Sequence, residues 1–172
     1  KNLNNKFPII QKNINFYNSA FLNKISLKYI VLCEDLFVSK INTGGIPDTE
    51  KRTLILDINF NTKYFERMIH HEIFHMVQKS NMEIFDESRF SSLNDVNFKY
   101  AECSTCSDRL NLDLYNDTNG FLTEYSKSIA SEDMAEIFSF LMTDKLNIES
   151  LIKKDKILEK KVTYIKSAIR KL

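Results

Sequence analysis

The three histidines of this chain fall within six consecutive positions and surround one glutamate. They include the segment His71-Glu72-Ile73-Phe74-His75, which has the pattern HExxH. On a helix, His71 and His75 lie one turn apart on the same face, so both imidazoles can reach one metal ion. Glu72 lies to the side of that face, within reach of a water molecule at the ion. The pattern therefore predicts two neutral imidazole ligands and a general base within one helical turn.

A catalytic zinc site also needs a third protein ligand and one open position. A segment that we predict to be helical, residues 131–145, offers Glu132, Asp133 and Glu136. Glu132 and Glu136 share a face opposite an apolar stripe, and the small Ala135 beside them would permit a close approach to the histidine helix. An acidic first turn is also favoured by the dipole of any helix. Together with HExxH, the segment favours a carboxylate ligand over that simpler explanation.

The two motifs together are fairly specific. Residues 71–75, followed by the segment Tyr125–Glu136 with its glutamate-x-x-alanine-glutamate sequence, resemble the gluzincin class of zinc metallopeptidases. Within that class the chain is most similar to the group of the anthrax lethal factor catalytic domain and the Pro-Pro endopeptidases, chiefly over residues 52–142. The resemblance implies that Glu132 is the third zinc ligand and that Tyr125, seven residues earlier, assists catalysis. Members of that group carry glycine where Phe74 stands.

The function that we predict is that of a zinc-dependent endopeptidase acting on a peptide or protein substrate. The expected ligands of the Zn²⁺ cofactor are His71, His75 and Glu132. The ion would lower the pKa of a water in its fourth position to about 7. Glu72 would accept that proton and pass it to the leaving amine, while Tyr125 would donate a hydrogen bond to the developing oxyanion.

Three further residues or segments have expected roles around this site. Glu136 would orient His71 or His75 through a ring N–H, a role typically worth about 10–100-fold in metal affinity or activity. The segment Thr53–Ile58 would be an edge strand that pairs with an extended peptide. His70 lies about 100° from His71 around the helix, so we expect it to have a packing or surface role.

The apolar pattern predicts the elements that carry these motifs. Helical spacing predicts helices over 14–25, 61–79, 131–145 and 148–172, and short apolar runs predict strands over 29–32, 36–38 and 53–58. The first five residues are expected to be frayed, 42–48 to form turn and loop, and 80–128 to be irregular apart from a short helix near 108–114. The predicted fold is α+β and zincin-like, with a small mixed or antiparallel sheet, an HExxH helix and a helical C-terminal part. We predict one domain over residues 1–172.

Composition excludes several other classes. A chain of 172 residues with 43% hydrophobic and 27% charged residues is globular rather than disordered. A net charge of +1 lacks the field of a nucleic-acid binder, and no apolar run approaches the roughly 20 residues that span a bilayer. The chain begins at Lys1 rather than at Met, which leaves open an upstream targeting segment; the compartment also stays open, with a secreted or surface-anchored bacterial protein favoured.

Cys103 and Cys106 lie three residues apart and Cys33 lies far from both in sequence. No thioredoxin-like pattern surrounds the pair, and one further cysteine is too few for a zinc knuckle. The spacing therefore favours a local disulfide or two ordinary thiols over a redox or metal site.

Two alternative functions stay open. The chain could be a catalytically inactive zincin-like module that binds metal or protein, although zinc binding alone does not require a base at Glu72. It could also be a helical interaction protein that uses its basic C-terminal helix, with an accidental HExxH. Acidic residues interleave with the basic ones in that helix, which favours a solvated outer face.

Overall fold

The computed structural model describes residues 2–172 and shows a mixed α+β fold with seven α-helices over that range. The helices are α1 (Asn2–Ile14), α2 (Ser19–Lys24), α3 (Thr62–Ser80), α4 (Glu87–Ser91), α5 (Ala130–Thr143), α6 (Lys145–Leu151) and α7 (Lys156–Ile169). The strands are β1 (Tyr29–Cys33), β2 (Phe37–Val38), β3 (Ile41–Asn42), β4 (Gly45–Asp48) and β5 (Thr53–Asp57), and a 3₁₀ turn covers Tyr125–Lys127. The α+β class and the small sheet are confirmed.

The chain forms two compact units. The first ends at Ser80 and the second covers Asn81–Leu172. The assignment of residues 1–172 to one domain stays a prediction, and the units are described separately below.

The first unit contains a three-stranded mixed sheet in the order β1-β5-β4 and a separate β2-β3 hairpin. Strand β5 lies in the centre, parallel to β1 and antiparallel to β4, and its Leu54 and Leu56 are fully buried. The expectation that Thr53–Ile58 forms an edge strand is therefore wrong. The edge strands are β1 and β4. Strand β4 lies in a segment expected to be loop, and Pro47 is tolerated there because an edge strand has one side without ladder hydrogen bonds.

Helix α3 begins where its sequence predicts. The Asn61 side chain accepts a hydrogen bond from the backbone N–H of Lys63 at 3.0 Å, and its carbonyl accepts one from the N–H of Phe65 at 3.1 Å. Phe65, Ile69 and Ile73 of this helix are completely buried. The predicted helix over 61–79 is confirmed, since α3 covers Thr62–Ser80. It forms there because the cap and the apolar spacing favour the same segment.

The N-terminal helix was predicted in the wrong place. The expected helix over 14–25 is interrupted, since α1 ends at Ile14 and Asn18 caps α2 by accepting a 2.8 Å hydrogen bond from the N–H of Phe21. Residues 2–5, which were expected to be frayed, are helical because tertiary contacts hold α1 in place, whereas Lys1 lies outside the described residues. One such contact is the Lys6 Nζ, which donates to the carbonyl of Phe60 at 2.9 Å.

A buried carboxylate fixes the loop before the hairpin. Asp57, at the end of β5, is fully buried and accepts hydrogen bonds from the backbone N–H groups of Asp35, Leu36 and Asn59 and from the side chain of Asn42. These four donors compensate the cost of burying its charge.

The second unit is built on α5, in which Met134, Ala135 and Ile137 are completely buried. Its predicted span of 131–145 is close to the observed one, but Ile129 is the N-cap rather than Ser131. The expected single helix after residue 148 is two helices. The Asp155 side chain caps α7 by accepting hydrogen bonds from the N–H groups of Ile157 and Leu158. A new helix therefore begins after Asp155 rather than a continuation of α6.

Other features of the second unit differ less from expectation. The stretch 80–128 is mostly irregular, but its helix is α4, whose N-cap is Asp86, and residues 108–114 form no helix. Cys103 and Cys106 form a disulfide, one of the two states that we expected. None of the helices between residues 2 and 172 has the length and hydropathy of a membrane-spanning segment.

Candidate metal centre

The HExxH segment lies within α3, where the helical repeat places both imidazoles on one face. His71 is 2% exposed and Glu72 5%, while His75 is half-buried. The Nε2 atoms of the two histidines are 3.2 Å apart. The two rings therefore direct the same nitrogen toward a common point.

Three side chains form a group that could hold a metal ion. His71, His75 and Glu132 each offer one ligand atom, and these atoms lie within 4.8 Å of one another. In a tetrahedral zinc site with Zn–N bonds of 2.0–2.1 Å, two ligand nitrogens are about 3.3 Å apart, close to the 3.2 Å between the histidine Nε2 atoms. Two imidazoles and a carboxylate are also a donor set of catalytic zinc sites. The residues present fit zinc.

Glu132 lies in the first turn of α5 and is 8% exposed. Glu136 follows one turn later, is 1% exposed, and accepts a 2.8 Å hydrogen bond at its Oε2 from the hydroxyl of Thr123. The Thr123 hydroxyl also lies 3.1 Å from that of Ser126. Sequence reasoning missed Thr123 because it belongs to no motif. The role of Glu136 in orienting a histidine stays a prediction.

Strand β4 brings a glycine against the glutamate of the HExxH segment. A Cβ atom placed on Gly45 would lie 2.6 Å from Cγ of Glu72 and 3.1 Å from the carbonyl oxygen of Ile55. Side-chain atoms at position 45 would therefore occupy the space that the Glu72 side chain uses. The sequence indicated only a turn at Gly44-Gly45, because the contact joins positions far apart in the chain.

Tyr125 opens the 3₁₀ turn that precedes α5 and is half-buried. Its backbone N–H donates to the carbonyl of Asn111 at 3.1 Å, and its carbonyl accepts from the hydroxyl of Ser128 at 2.7 Å. These two hydrogen bonds hold the backbone of the first residue of the turn. The catalytic role expected for Tyr125 stays a prediction.

His70 has a packing role, one of the two that we expected for it. It is completely buried, with Nδ1 2.6 Å from the hydroxyl of Tyr17 and Nε2 2.8 Å from Oδ1 of Asn13. The Asn13 amide nitrogen donates elsewhere, so its oxygen accepts from Nε2–H and the Tyr17 hydroxyl donates to Nδ1. Burial lowers the pKa of His70 to about 4. Both ring nitrogens are occupied, and His70 is not part of the metal-ligand group.

Comparison with known proteins agrees with this chemistry. Residues 38–171 match the model of the Peptidase Mx1 family, which is described as "Putative zinc-binding metallo-peptidase". The matched residues include α3, with HExxH, and α5, with Glu132. No curated protein and no solved structure matches the chain. The zinc-binding description and the group His71, His75 and Glu132 together confirm Zn²⁺ as the cofactor predicted from the sequence.

Proposed function

This chain belongs to the Peptidase Mx1 family, and we propose that within that family it is a zinc-dependent endopeptidase of the gluzincin type with a zincin-like fold. The observation that carries the proposal is the convergence of ligand atoms from His71, His75 and Glu132 to within 4.8 Å. The sequence resemblance to the lethal factor and Pro-Pro endopeptidase group supports the same function.

In this proposal three side chains would hold the ion. His71 and His75 would bind it through Nε2 as neutral imidazoles, and Glu132 would bind it as a carboxylate. Bound zinc supplies Lewis-acid chemistry, since it lowers the pKa of a water to about 7 and polarises a carbonyl. The surrounding burial of His71 and Glu132 strengthens these interactions by limiting solvent screening.

Three residues move or place protons in the proposed reaction. Glu72 takes the proton of the attacking water and later delivers it to the leaving amine. The phenol of Tyr125 donates a hydrogen bond to the oxygen that develops charge at the scissile carbonyl. Glu136 accepts a ring N–H from one of the histidines, with the Thr123 hydroxyl holding its other side through the hydrogen bond at Oε2.

The substrate strand in this proposal pairs with β4 rather than with β5. Strand β5 has neighbours on both sides, whereas β1 and β4 are both edges of the sheet, and of these two β4 is the strand whose Gly45 lies against Glu72. Residues 46–48 of β4 are half-buried. An extended peptide added at this edge would run beside the strand that carries Gly45, which lies against Glu72.

Replacement of Glu72 by glutamine tests the proposal. The Glu72→Gln variant keeps zinc in a 1:1 ratio but loses at least about 10²-fold in turnover, the scale of a general base. Glu66→Gln is a matched control on the same helix, because Glu66 is part-exposed and bonded to Lys12 rather than placed in the ligand group. We expect this control to keep both zinc and turnover.

The outcomes separate the alternatives. Wild-type turnover in Glu72→Gln would remove Glu72 from the mechanism. A wild-type protein that binds zinc but cleaves no member of a diverse peptide library would instead be an inactive metal-binding module. A wild-type protein that binds no zinc would contradict the whole proposal and leave an interaction protein with an accidental motif.

A further inference from the structure

A completely buried ion pair of the second unit includes Asp133, the residue that follows the proposed third ligand. Lys161 of α7 and Asp133 of α5 have side chains that are both 0% exposed, and Nζ of Lys161 lies 2.7 Å from Oδ2 of Asp133. Lys161 also donates to the carbonyl of Gly120 at 2.8 Å, and the hydroxyl of Tyr100 donates to the same Asp133 oxygen at 2.7 Å. The pair and its two partners thus join α5, α7 and two loop segments.

An aromatic ring completes the surroundings of the lysine. The Lys161 ammonium lies 3.6 Å from the centroid of the Phe121 ring, in cation–π geometry. The charge is therefore held by a carboxylate, a carbonyl and a ring face. The lysine is thus fixed in place, and its ammonium and the Tyr100 hydroxyl both bind the same oxygen of Asp133, which holds that carboxylate toward α7.

Stability alone is a poor explanation for such a pair. The cost of removing two charges from water often exceeds their attraction, and apolar replacements of equal volume are frequently neutral or stabilising. What a buried pair supplies instead, in the best-attested cases, is one specified arrangement of the elements that it joins. In this unit the joined elements include the first turn of α5.

Glu132 immediately precedes Asp133, and consecutive side chains on a helix point about 100° apart. Holding Asp133 toward Lys161 sets the rotation of α5 about its axis and with it the direction of Glu132. We propose that Asp133, Lys161 and Tyr100 are positioning residues that aim the Glu132 carboxylate at the metal. This inference rests on the proposed function, in which Glu132 is a zinc ligand, and gives the three residues no contact with substrate.

A double variant separates positioning from stability. Lys161→Met alone leaves a buried carboxylate without its cation and is expected to destabilise the fold strongly. Asp133→Asn combined with Lys161→Met is neutral and nearly isosteric, so we expect it to melt close to the wild-type temperature. We expect the same protein to bind zinc about 10–100-fold more weakly, as when other supporting partners of metal ligands are lost. The visible absorption spectrum of the Co²⁺-loaded protein, which reports ligand geometry, should change as well.

The matched control changes the same kinds of charge elsewhere on α7. Lys156 and Glu159 form an exposed pair at 2.9 Å, so Lys156→Met with Glu159→Gln should leave zinc affinity and the Co²⁺ spectrum unchanged. Wild-type zinc affinity and spectrum in the Asp133/Lys161 double variant would overturn the inference. If that variant does not fold, Tyr100→Phe keeps the ion pair and should weaken zinc binding about threefold, less than direct partners do; unchanged affinity there would overturn it equally.

This result is distinguishable from failure of the proposed function. If Glu132 is not a ligand, Glu132→Ala retains wild-type zinc affinity. If Glu132 is a ligand but the buried pair does not position it, Glu132→Ala loses zinc and the double variant does not.

Discussion

Replacement of Gly45 by alanine tests the proposed role of Glu72 as general base. Gly45 lies against Glu72 and has no side chain that could take part in the reaction. A Cβ at this position would lie 2.6 Å from Cγ of Glu72, where ordinary carbon contacts begin near 3.4 Å. The φ angle of Gly45 is not in the left-handed region, so alanine fits the backbone. The Glu72 side chain must therefore move by about 0.8 Å, the difference between these two distances.

That displacement sets the expected magnitude. A misplacement of about 1 Å can cost 10²-fold in rate, so we expect Gly45→Ala to lower kcat by about 10- to 10²-fold. Zinc content should stay at the wild-type value, because the added methyl meets Glu72 and a backbone oxygen rather than His71 or His75. The assay is hydrolysis of a fluorogenic peptide at saturating concentration, with the metal content measured on the same sample.

Gly44→Ala is the matched control, since it adds the same methyl one residue away. Its Cβ would lie 2.6 Å from a ring carbon of Phe60 and 2.7 Å from Cγ of Met68, both in the core. We expect it to lower the melting temperature by overpacking while kcat stays within about twofold, since overpacking costs typically 1–3 kcal/mol of stability. Wild-type kcat in Gly45→Ala, or an equal loss of kcat in both variants, would refute the reasoning.

Two other predictions concern the third ligand and the cap of α7. Glu132→Ala should abolish tight zinc binding measured by competition with a chelating dye, whereas Glu124→Ala should not; Asp133→Ala is unsuitable as a control because it breaks the buried pair with Lys161. Burial raises the pKa of Asp155, but hydrogen bonds, first among them that from the N–H of Leu158, outweigh burial and lower the pKa below 3.8. The carboxylate therefore stabilises the fold above pH 3.8, and this stabilisation is lost as the pH falls through the folded-state pKa. Asp155→Asn should therefore cost about 1 kcal/mol in urea unfolding at pH 7 and progressively less below pH 4; a cost that does not change with pH would contradict this.

The elements with two agreeing local signals were predictable from the sequence. Helix α3 has both a cap at Asn61 and continuous apolar spacing, and β1 and β5 are short β-branched runs. That His71 and His75 share one face of α3 follows from the helical repeat. The choice of Glu132 needed the resemblance to a known family, since helix geometry also allowed Asp133 and Glu136.

The elements that depend on distant contacts were not predictable. Strand β4 contains glycine and proline, and it forms because β5 offers a partner edge. Helix α1 is polar at its start and is held by Lys6 and by the bonds of Asn13 to α3. The burial of Asp133 was also not predictable, because its partner Lys161 is 28 residues away in sequence. In the sequence, Lys161 is one of many lysines and has no feature that indicates burial.

The hydrogen bonds of His70 bear on where this protein can be shortened. The family match begins at residue 38, yet Asn13 and Tyr17, which satisfy both nitrogens of a buried histidine inside the match, lie before that boundary. A truncated version beginning at the match would lose both hydrogen-bond partners of His70, on the helix that carries HExxH, and would lose strand β1, which pairs with β5. Expression trials and domain grafts should therefore retain the first two helices as part of the working unit.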